Sequence, residues 1–167
     1  MKTNNYRFVW KAIKYHRKQE KQIIHTPAYI IGLQNKDTKE IFPHPLTHFL
    51  FKNYHRSSGS VNTELTVAQI IVPFLNFILN KVEVNSSKYS DVKGIEDLCA
   101  THANEYLKYC VEEKGNKNKT LEIKENILSK FYKYLWDEKI LKNQPQFRLI
   151  TVRTGRDIRQ VYKLDFI

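Results

Sequence analysis

Apolar residues recur at helical spacing through most of the second half of the chain. Three amphipathic stripes are present: the first begins at Asn62, the second covers about 101–114 and the third covers about 120–139. A shorter stripe covers residues 46–54. Three or four antiparallel helices joined by short loops pack as a compact bundle. The pattern therefore predicts a mainly α protein of the helical-bundle class.

The apolar positions on these stripes are the predicted core. Pro73 lies inside the first stripe and predicts a kink or an early break there. Gly115 is a plausible helix-ending residue after the second. We expect these side chains to point inward: Val67, Ile70, Ile71, Phe74, Leu75 and Ile78; Tyr106, Leu107, Cys110 and Val111; Ile123, Ile127, Leu128, Phe131, Tyr132, Tyr134, Leu135 and Trp136.

The N-terminal third carries strand signals. Residues 28–42 hold the run AYIIGL, the turn residues QNKDT and then EIF, which predicts a β-hairpin. Residues 1–25 interleave aromatic and basic side chains, and their spacing leaves helix and strand both open. Alternation over 147–164 predicts a second hairpin. The expected fold is thus a mainly α bundle with a small N-terminal β-hairpin arm.

A linker signal divides the chain. Ser57-Ser58-Gly59-Ser60 is the clearest flexible run. It separates a basic arm with a hairpin and short helix, residues 1–58, from a helical domain, residues 59–145. Residues 146–167 form a basic tail or linker.

The positive charge is concentrated in the two segments that flank the helical domain. The formal net charge is +11, made up of +8 in residues 1–60, zero in residues 61–142 and +3 in residues 143–167. Cationic segments beside a neutral fold suit a polyanion, because neutralised phosphates release condensed counterions. A solvated basic surface and an anionic lipid are the alternatives that charge alone leaves open.

Cysteine, histidine and hydropathy patterns set further expectations. Cys99 and Cys110 have no partner pair of cysteines, so we expect buried reduced thiols and no zinc site. His44 and His48 stand four apart, but Pro45 lies between them and no third ligand is near, so no metal is expected. The N-terminus is polar, and no run approaches eighteen apolar residues. These features favour a cytoplasmic protein that is neither secreted nor membrane-spanning.

Residues 115–145, GNKNKTLEIKENILSKFYKYLWDEKILKNQP, resemble the end of the core-binding (SAM-like) domain of tyrosine recombinases and phage integrases. The shared order is a Thr at a helix start, then F-Y-K-Y-L, then Ile-Leu, then Asn and Pro. The resemblance extends over roughly residues 43–145, with PLTHFL at Pro45–Leu50 and the run from Ser60 to Ile78 as its first half. It implies a bundle that grips one face of duplex DNA while basic flanks wrap the backbone.

The resemblance also implies which residues meet DNA. Thr63 and Thr120 match helix starts where a hydroxyl and backbone amides contact phosphate, and both are expected to cap their helices. Base reading would fall to exposed positions one turn further on. The expected DNA-binding residues are Thr63, Lys117, Lys119, Thr120, Glu122, Lys124, Asn126, Arg153, Arg156 and Arg159.

Catalytic signatures are missing from this sequence. Recombinase chemistry uses an Arg/His/Arg set with an H-x-x-R pair and a late Tyr nucleophile, and the chain has no H-x-x-R. It also has no Gly-rich phosphate loop and no Ser-His-Asp pattern. We therefore expect sequence-specific binding of double-stranded DNA without cleavage, no cofactor and no small-molecule substrate. A longer parent protein, bacterial or phage-encoded and nucleoid-associated, could still be a recombinase.

Three functional hypotheses stay open. The chain is the core-binding half of an integrase active in site-specific recombination, or a catalytically inert, recombinase-derived regulator such as a phage repressor. A basic helical adaptor that binds protein or anionic lipid is the alternative of another class. Homo-oligomerisation on DNA is also left open.

Overall fold

The computed structural model describes residues 5–54, 62–84, 89–154 and 157–164. The chain divides into two compact units, residues 1–83 and residues 84–167. The first unit contains β1 (Tyr6–Gln19), β2 (Gln22–Asn35), β3 (Ile41–Pro43), α1 (Thr47–Tyr54) and α2 (Asn62–Glu83). The second contains a short 3-10 helix (Ile95–Asp97), α3 (Ala100–Glu112), α4 (Asn118–Asp137), β4 (Phe147–Thr154) and β5 (Asp157–Leu164).

A three-stranded antiparallel sheet, ordered β1-β2-β3, builds the start of the chain. β1 and β2 pair along 14 residues each, and a two-residue turn at Glu20 and Lys21 joins them. β3 adds a short third strand to β2 and confirms the hairpin predicted within residues 28–42. Gly32 is required where these strands meet, because a Cβ there would lie 2.7 Å from Ile41 Cγ2.

The prediction of a mainly α protein was wrong. The molecule is a mixed α/β protein, because residues 6–35 form a long β-hairpin and β4 and β5 form a second one. β1 mixes aromatic and β-branched residues with five Lys or Arg residues, so its local sequence leaves helix and strand both open. Pairing with the isoleucine-rich β2 decides its conformation. A short sequence window cannot reveal this strand pairing, because most of the paired residues lie far apart in the sequence.

Helices of the first unit contact its sheet. α2 contacts β1 and β2, while α1 contacts β2 and α2. The predicted inward stripe of α2, from Val67 to Ile78, is buried. α1 confirms the short helix predicted over residues 46–54. Pro73 lies inside α2 without ending it, so the early break does not occur.

One helix among the described residues, Thr63–Glu83, is long and apolar enough to cross a membrane by length and composition. The buried core helix of a soluble protein passes the same test. In this chain the helix contacts β1 and β2, and Asn76 on it bonds to a strand backbone, so its position in the first unit is that of a core helix.

In the second unit α3 packs against α4, and α4 contacts β5. Gly115 confirms the predicted helix end: its φ is +63°, and its N–H donates to Val111 O. The N–H of Asn116 donates to Cys110 O, so two backbone bonds close the end of α3 around the left-handed Gly115. The second predicted hairpin, within residues 147–164, is also confirmed.

Most predicted core positions of this unit are buried. Phe131, Tyr132, Tyr134 and Leu135 confirm the expectation that this aromatic run is core, and Trp136 is half-buried.

Three predictions of burial were wrong. Val111 and Ile123 are 47% and 43% exposed. Val111 lies in the last turn of α3, and Ile123 lies one turn before the buried stretch of α4 begins at Ile127. Cys99 is exposed because it stands at the N-cap of α3, outside the buried stripe of the helix.

The predicted linker at residues 57–60 lies outside the described residues. Along the chain, the boundary between the two units falls between residues 83 and 84. It lies inside the segment 59–145 that the sequence predicted to be one helical domain.

Candidate nucleic-acid interface

The first turn of α4 is the densest group of predicted DNA-binding residues. Lys117 is the N-cap, its side chain makes no capping bond, and the first turn contains no acidic residue. Lys117, Lys119 and Thr120 are exposed. A helix N-terminus carries a partial positive charge, and an acidic side chain usually offsets it. Here two lysines add to that charge, so an anion from solution would be stabilised at this turn.

The predicted capping role of Thr120 was wrong. α4 begins at Asn118, two residues earlier than the periodicity suggested, so Thr120 is the third helical residue. Thr63 is likewise inside a first turn, because α2 begins at Asn62, and it is exposed. Both hydroxyls therefore lie beside helix N-termini without being N-caps. Thr63 belongs to the first unit and Thr120 to the second.

The side chain of Lys124 contacts residues at the junction between α3 and α4. Its Nζ donates to Asn116 Oδ1 at 2.7 Å and lies 3.4 Å from Cys110 Sγ. The same ammonium stands 5.6 Å from the centre of the Tyr106 ring, in cation–π range. This half-buried lysine ties its helix to the end of the preceding one.

Glu122 and Asn126, the other predicted base-reading positions, are exposed on α4. They lie three and seven residues beyond Lys119, so the three side chains occupy one face of the helix. The structure thus groups Lys117, Lys119, Thr120, Glu122 and Asn126 along the exposed N-terminal part of α4, and separates Lys124 from them by its contacts.

Two of the three predicted arginines, Arg153 and Arg159, lie on the strands of the second hairpin. Arg153 pairs with Ile158, and Val152 pairs with Arg159. Arg156 lies outside the described residues.

The hairpin of β1 and β2, here called the basic hairpin, was missed as a site by sequence reasoning. Residues 6–35 contain six Lys or Arg and one acidic residue, Glu20. Lys11, Lys14 and Lys21 are exposed. Arg7 instead lies across the strands, with its guanidinium donating twice to Gln34 Oε1. The regular spacing of Tyr6, Phe8 and Trp10 among these cations was the available signal for an exposed strand.

Polar side chains fix the edges of the basic hairpin. The Phe8 N–H donates to Asn76 Oδ1 at 2.8 Å, and Asn76 Nδ2 donates to Phe8 O at 2.9 Å. On the opposite edge, Thr47 Oγ1 exchanges two 3.0 Å bonds with the backbone of Ile31. Pro27 is four residues from Ile31 on the same outward edge, where its missing N–H breaks no ladder bond. α1 and α2 therefore hold the base of the hairpin.

One surface of the sheet carries a row of aromatic side chains. Cross-strand partners share a face, so Tyr6, Trp10, Tyr29 and Phe42 lie on the same side. Ring centres of Tyr6 and Phe42 are 6.5 Å apart, and those of Trp10 and Tyr29 are 5.8 Å apart. We call these four residues the aromatic face. Phe8, on the same side, contacts His44 at 5.5 Å.

His44 in the first unit and His102 in the second each accept a hydrogen bond from a backbone N–H. His44 Nδ1 accepts the Leu46 N–H, and burial lowers the pKa of His44. His102 Nδ1 accepts the Cys99 N–H, and burial lowers the pKa of His102, with nearby Asp97 and Glu105 opposing the shift. Within the described parts of the chain, no group of three or more His, Cys, Asp or Glu could hold a metal ion.

Comparison with known proteins found no matching family model, no matching curated protein and no matching solved structure. The resemblance to tyrosine recombinases therefore stays a prediction from the order of residues in 43–145.

Proposed function

We propose that this protein binds duplex DNA as the core-binding half of a tyrosine recombinase-like protein, in site-specific recombination or DNA integration. The observation that carries the proposal is the acid-free first turn of α4, with exposed Lys117, Lys119 and Thr120. Backbone amides, a hydroxyl and two ammonium groups at one helix start form a phosphate-binding arrangement.

The exposed face that continues from this turn supports contact with bases. Lys119, Glu122 and Asn126 follow one another along α4 at intervals of three and four residues. When a helix enters the major groove, residues near its N-terminus reach the base edges. Asn pairs with adenine and Lys with guanine, while Glu accepts from cytosine. In this proposal the described residues supply binding and no step of strand cleavage.

The basic hairpin supports the proposal from the first unit. A two-stranded β-ribbon fits the major groove, which is roughly 12 Å wide. Exposed Lys11, Lys14 and Lys21 would meet phosphates along the flanks of such a groove.

The proposal is tested by a double variant, Lys117→Ala with Lys119→Ala, in gel-shift titrations over a range of salt concentrations. Each phosphate contact contributes about 0.9 to the slope of log affinity against log salt. We expect weaker binding and a slope shallower by up to about 2 units if both lysines meet phosphates.

The matched control is Lys133→Ala with Lys142→Ala, which removes the same charge from the same unit. Those ammonium groups already pair with carboxylates, Lys133 with Asp137 at 3.0 Å and Lys142 with Asp97 at 2.7 Å. Equal salt slopes in both double variants would show that the start of α4 does not contact DNA. Absent or salt-insensitive binding by the unaltered protein would reject the DNA proposal altogether.

A further inference from the structure

We propose that the aromatic face of the first unit binds the unpaired bases of a single-stranded nucleic acid by stacking. This activity goes beyond duplex binding, because the faces of paired bases are covered by their neighbours within a duplex. The recognised chemistry is a planar base on an anionic strand.

The strand register creates the site. Tyr6 and Trp10 are separated by an even number of residues on β1, so they project from the same side of the sheet. The Tyr6 ring contacts that of Phe42, with 6.5 Å between ring centres, and the Trp10 ring contacts that of Tyr29, with 5.8 Å between ring centres. The two pairs lie roughly 13 Å apart along the strand, at about 3.3 Å per residue. A row of this kind offers more than one base a ring to stack on.

Exposure distinguishes these rings from core aromatics. Tyr6 is 39% exposed, Trp10 is 40% exposed and Phe42 is 50% exposed. Ile31, the cross-strand partner of Trp10 on the same face, is fully buried. This face is therefore covered at Ile31, while Tyr6, Trp10 and Phe42 keep a large part of their surface exposed to a ligand.

Charge identifies the occupant. The hairpin that supplies three of these four rings carries six Lys or Arg and one acidic residue. Exposed Lys14 lies four residues from Trp10 on the same strand and on the same face of the sheet, while exposed Lys11 lies on the opposite face. Aromatic side chains that stack with bases beside cations that track the backbone are the combination used by single-strand-binding surfaces. An uncharged or acidic ligand would gain nothing from these lysines.

The experiment uses Trp10 as its own reporter. The chain has two tryptophans, so Trp136→Phe leaves Trp10 as the sole indole, and Trp136 is half-buried in α4 where a Phe keeps an aromatic ring. The fluorescence of Trp10 is followed during titration with an oligothymidylate of about twelve nucleotides. The same titration is run with a duplex of equal length and with phosphatidylserine–phosphatidylcholine vesicles. We expect clearly stronger quenching by the single strand than by the duplex, because a duplex that meets the hairpin lysines keeps its base faces covered.

Affinity measurements on ring variants give the second arm. Trp10→Ala and Phe42→Ala should each weaken single-strand binding on the order of five- to a hundredfold, because one base–aromatic stack has that value. Trp10→Phe keeps a ring and should retain most of the affinity. Val111→Ala and Ile123→Ala are the controls, since they remove exposed apolar side chains elsewhere and should leave binding unchanged.

Three outcomes of the fluorescence titration would overturn the inference. They are unchanged Trp10 fluorescence with the single strand, equal quenching by the duplex, and a response confined to the vesicles, which would assign the face to lipid. Wild-type single-strand affinity in folded Trp10→Ala protein would do the same. The alanine variants at Lys117 and Lys119 keep the aromatic face, so loss of duplex binding there leaves this inference separately testable.

Discussion

Aromatic residues serve opposite purposes in α4 of the second unit and in the sheet of the first. In α4 the rings of Phe131 and Tyr132 are 0% exposed, whereas Trp10 and Phe42 on the sheet are 40% and 50% exposed. Tyr132 also satisfies its hydroxyl internally, by donating to Cys99 O at 2.7 Å. The same class of side chain therefore builds the core around α4 and forms an exposed surface on the sheet. Of these rings, only those on the sheet are placed where a ligand can reach them.

The polar groups of the two units differ in a related way. Lys124 is held between helices, and burial raises the pKa of Tyr132 well above its ordinary value. In the first unit, exposed lysines accompany exposed rings. Groups with internal partners stabilise the fold, and exposed groups are available to bind.

The largest expected effect tests the aromatic comparison directly. Tyr132→Ala should lower the free energy of unfolding by about 3–5 kcal/mol, because a fully buried ring leaves a cavity. Trp10→Ala should lower it by clearly less, since 40% of this side chain is already in water and less apolar burial is lost. Urea denaturation followed by circular dichroism measures both. Similar losses in the two variants would show that Trp10 is a core residue and would remove the contrast.

A smaller loss is expected where a helix holds the strand that bears Trp10. Asn76→Ala removes both bonds to the Phe8 backbone and should lower stability by about 1–3 kcal/mol. Hydrogen exchange at the Phe8 amide should also accelerate. Asn80→Ala is the control, because Asn80 is exposed on the same helix. Equal stability and exchange in the two variants would mean that Asn76 does not anchor β1.

Two lysines of α4, Lys119 and Lys124, should separate stability from binding. Lys124→Ala should lower the free energy of unfolding by about 1 kcal/mol, through loss of its bond to Asn116 and its contact with Tyr106. Lys119→Ala should change it by about 0.5 kcal/mol or less and act on DNA binding instead. The reverse assignment, with a stable Lys124→Ala protein that fails to bind DNA, would restore Lys124 to the interface.

The smallest expected effect concerns pH. Burial lowers the pKa of His102 below its ordinary value of 6.5. Protonation of this side chain is therefore less favourable in the folded state than in the unfolded chain. This contribution to stability is fully present above pH 6.5 and is lost as pH falls through the folded-state pKa. His102→Gln keeps an acceptor for the Cys99 N–H and should flatten part of the decline in urea midpoint on acidification.

His48→Gln serves as the control, because His48 is exposed. Burial also lowers the pKa of His44, which should maintain the remaining slope in both variants. A decline that His102→Gln leaves unchanged would assign the acid sensitivity to other groups.

Local pattern alone determined a large part of this protein. The helical stripe from Val67 to Ile78, the left-handed end at Gly115, the buried Phe131–Leu135 run and the second hairpin were all predictable. Each depends on residues a few positions apart, whose contacts are set by helical or strand geometry. The cluster of Lys117, Lys119 and Thr120 was likewise visible in the sequence, although the helix starts earlier than expected.

Tertiary structure decided the rest. β1 is a strand because a partner fourteen residues long pairs with it, and Asn76 reaches Phe8 across 68 positions of sequence. Lys124 turns inward because the end of α3 presents Asn116 and Tyr106 to it. Such choices depend on the free energy of contacts between distant segments, which no local periodicity encodes. That is why the helices could be predicted, while the mixed fold and the exposed aromatic face could not.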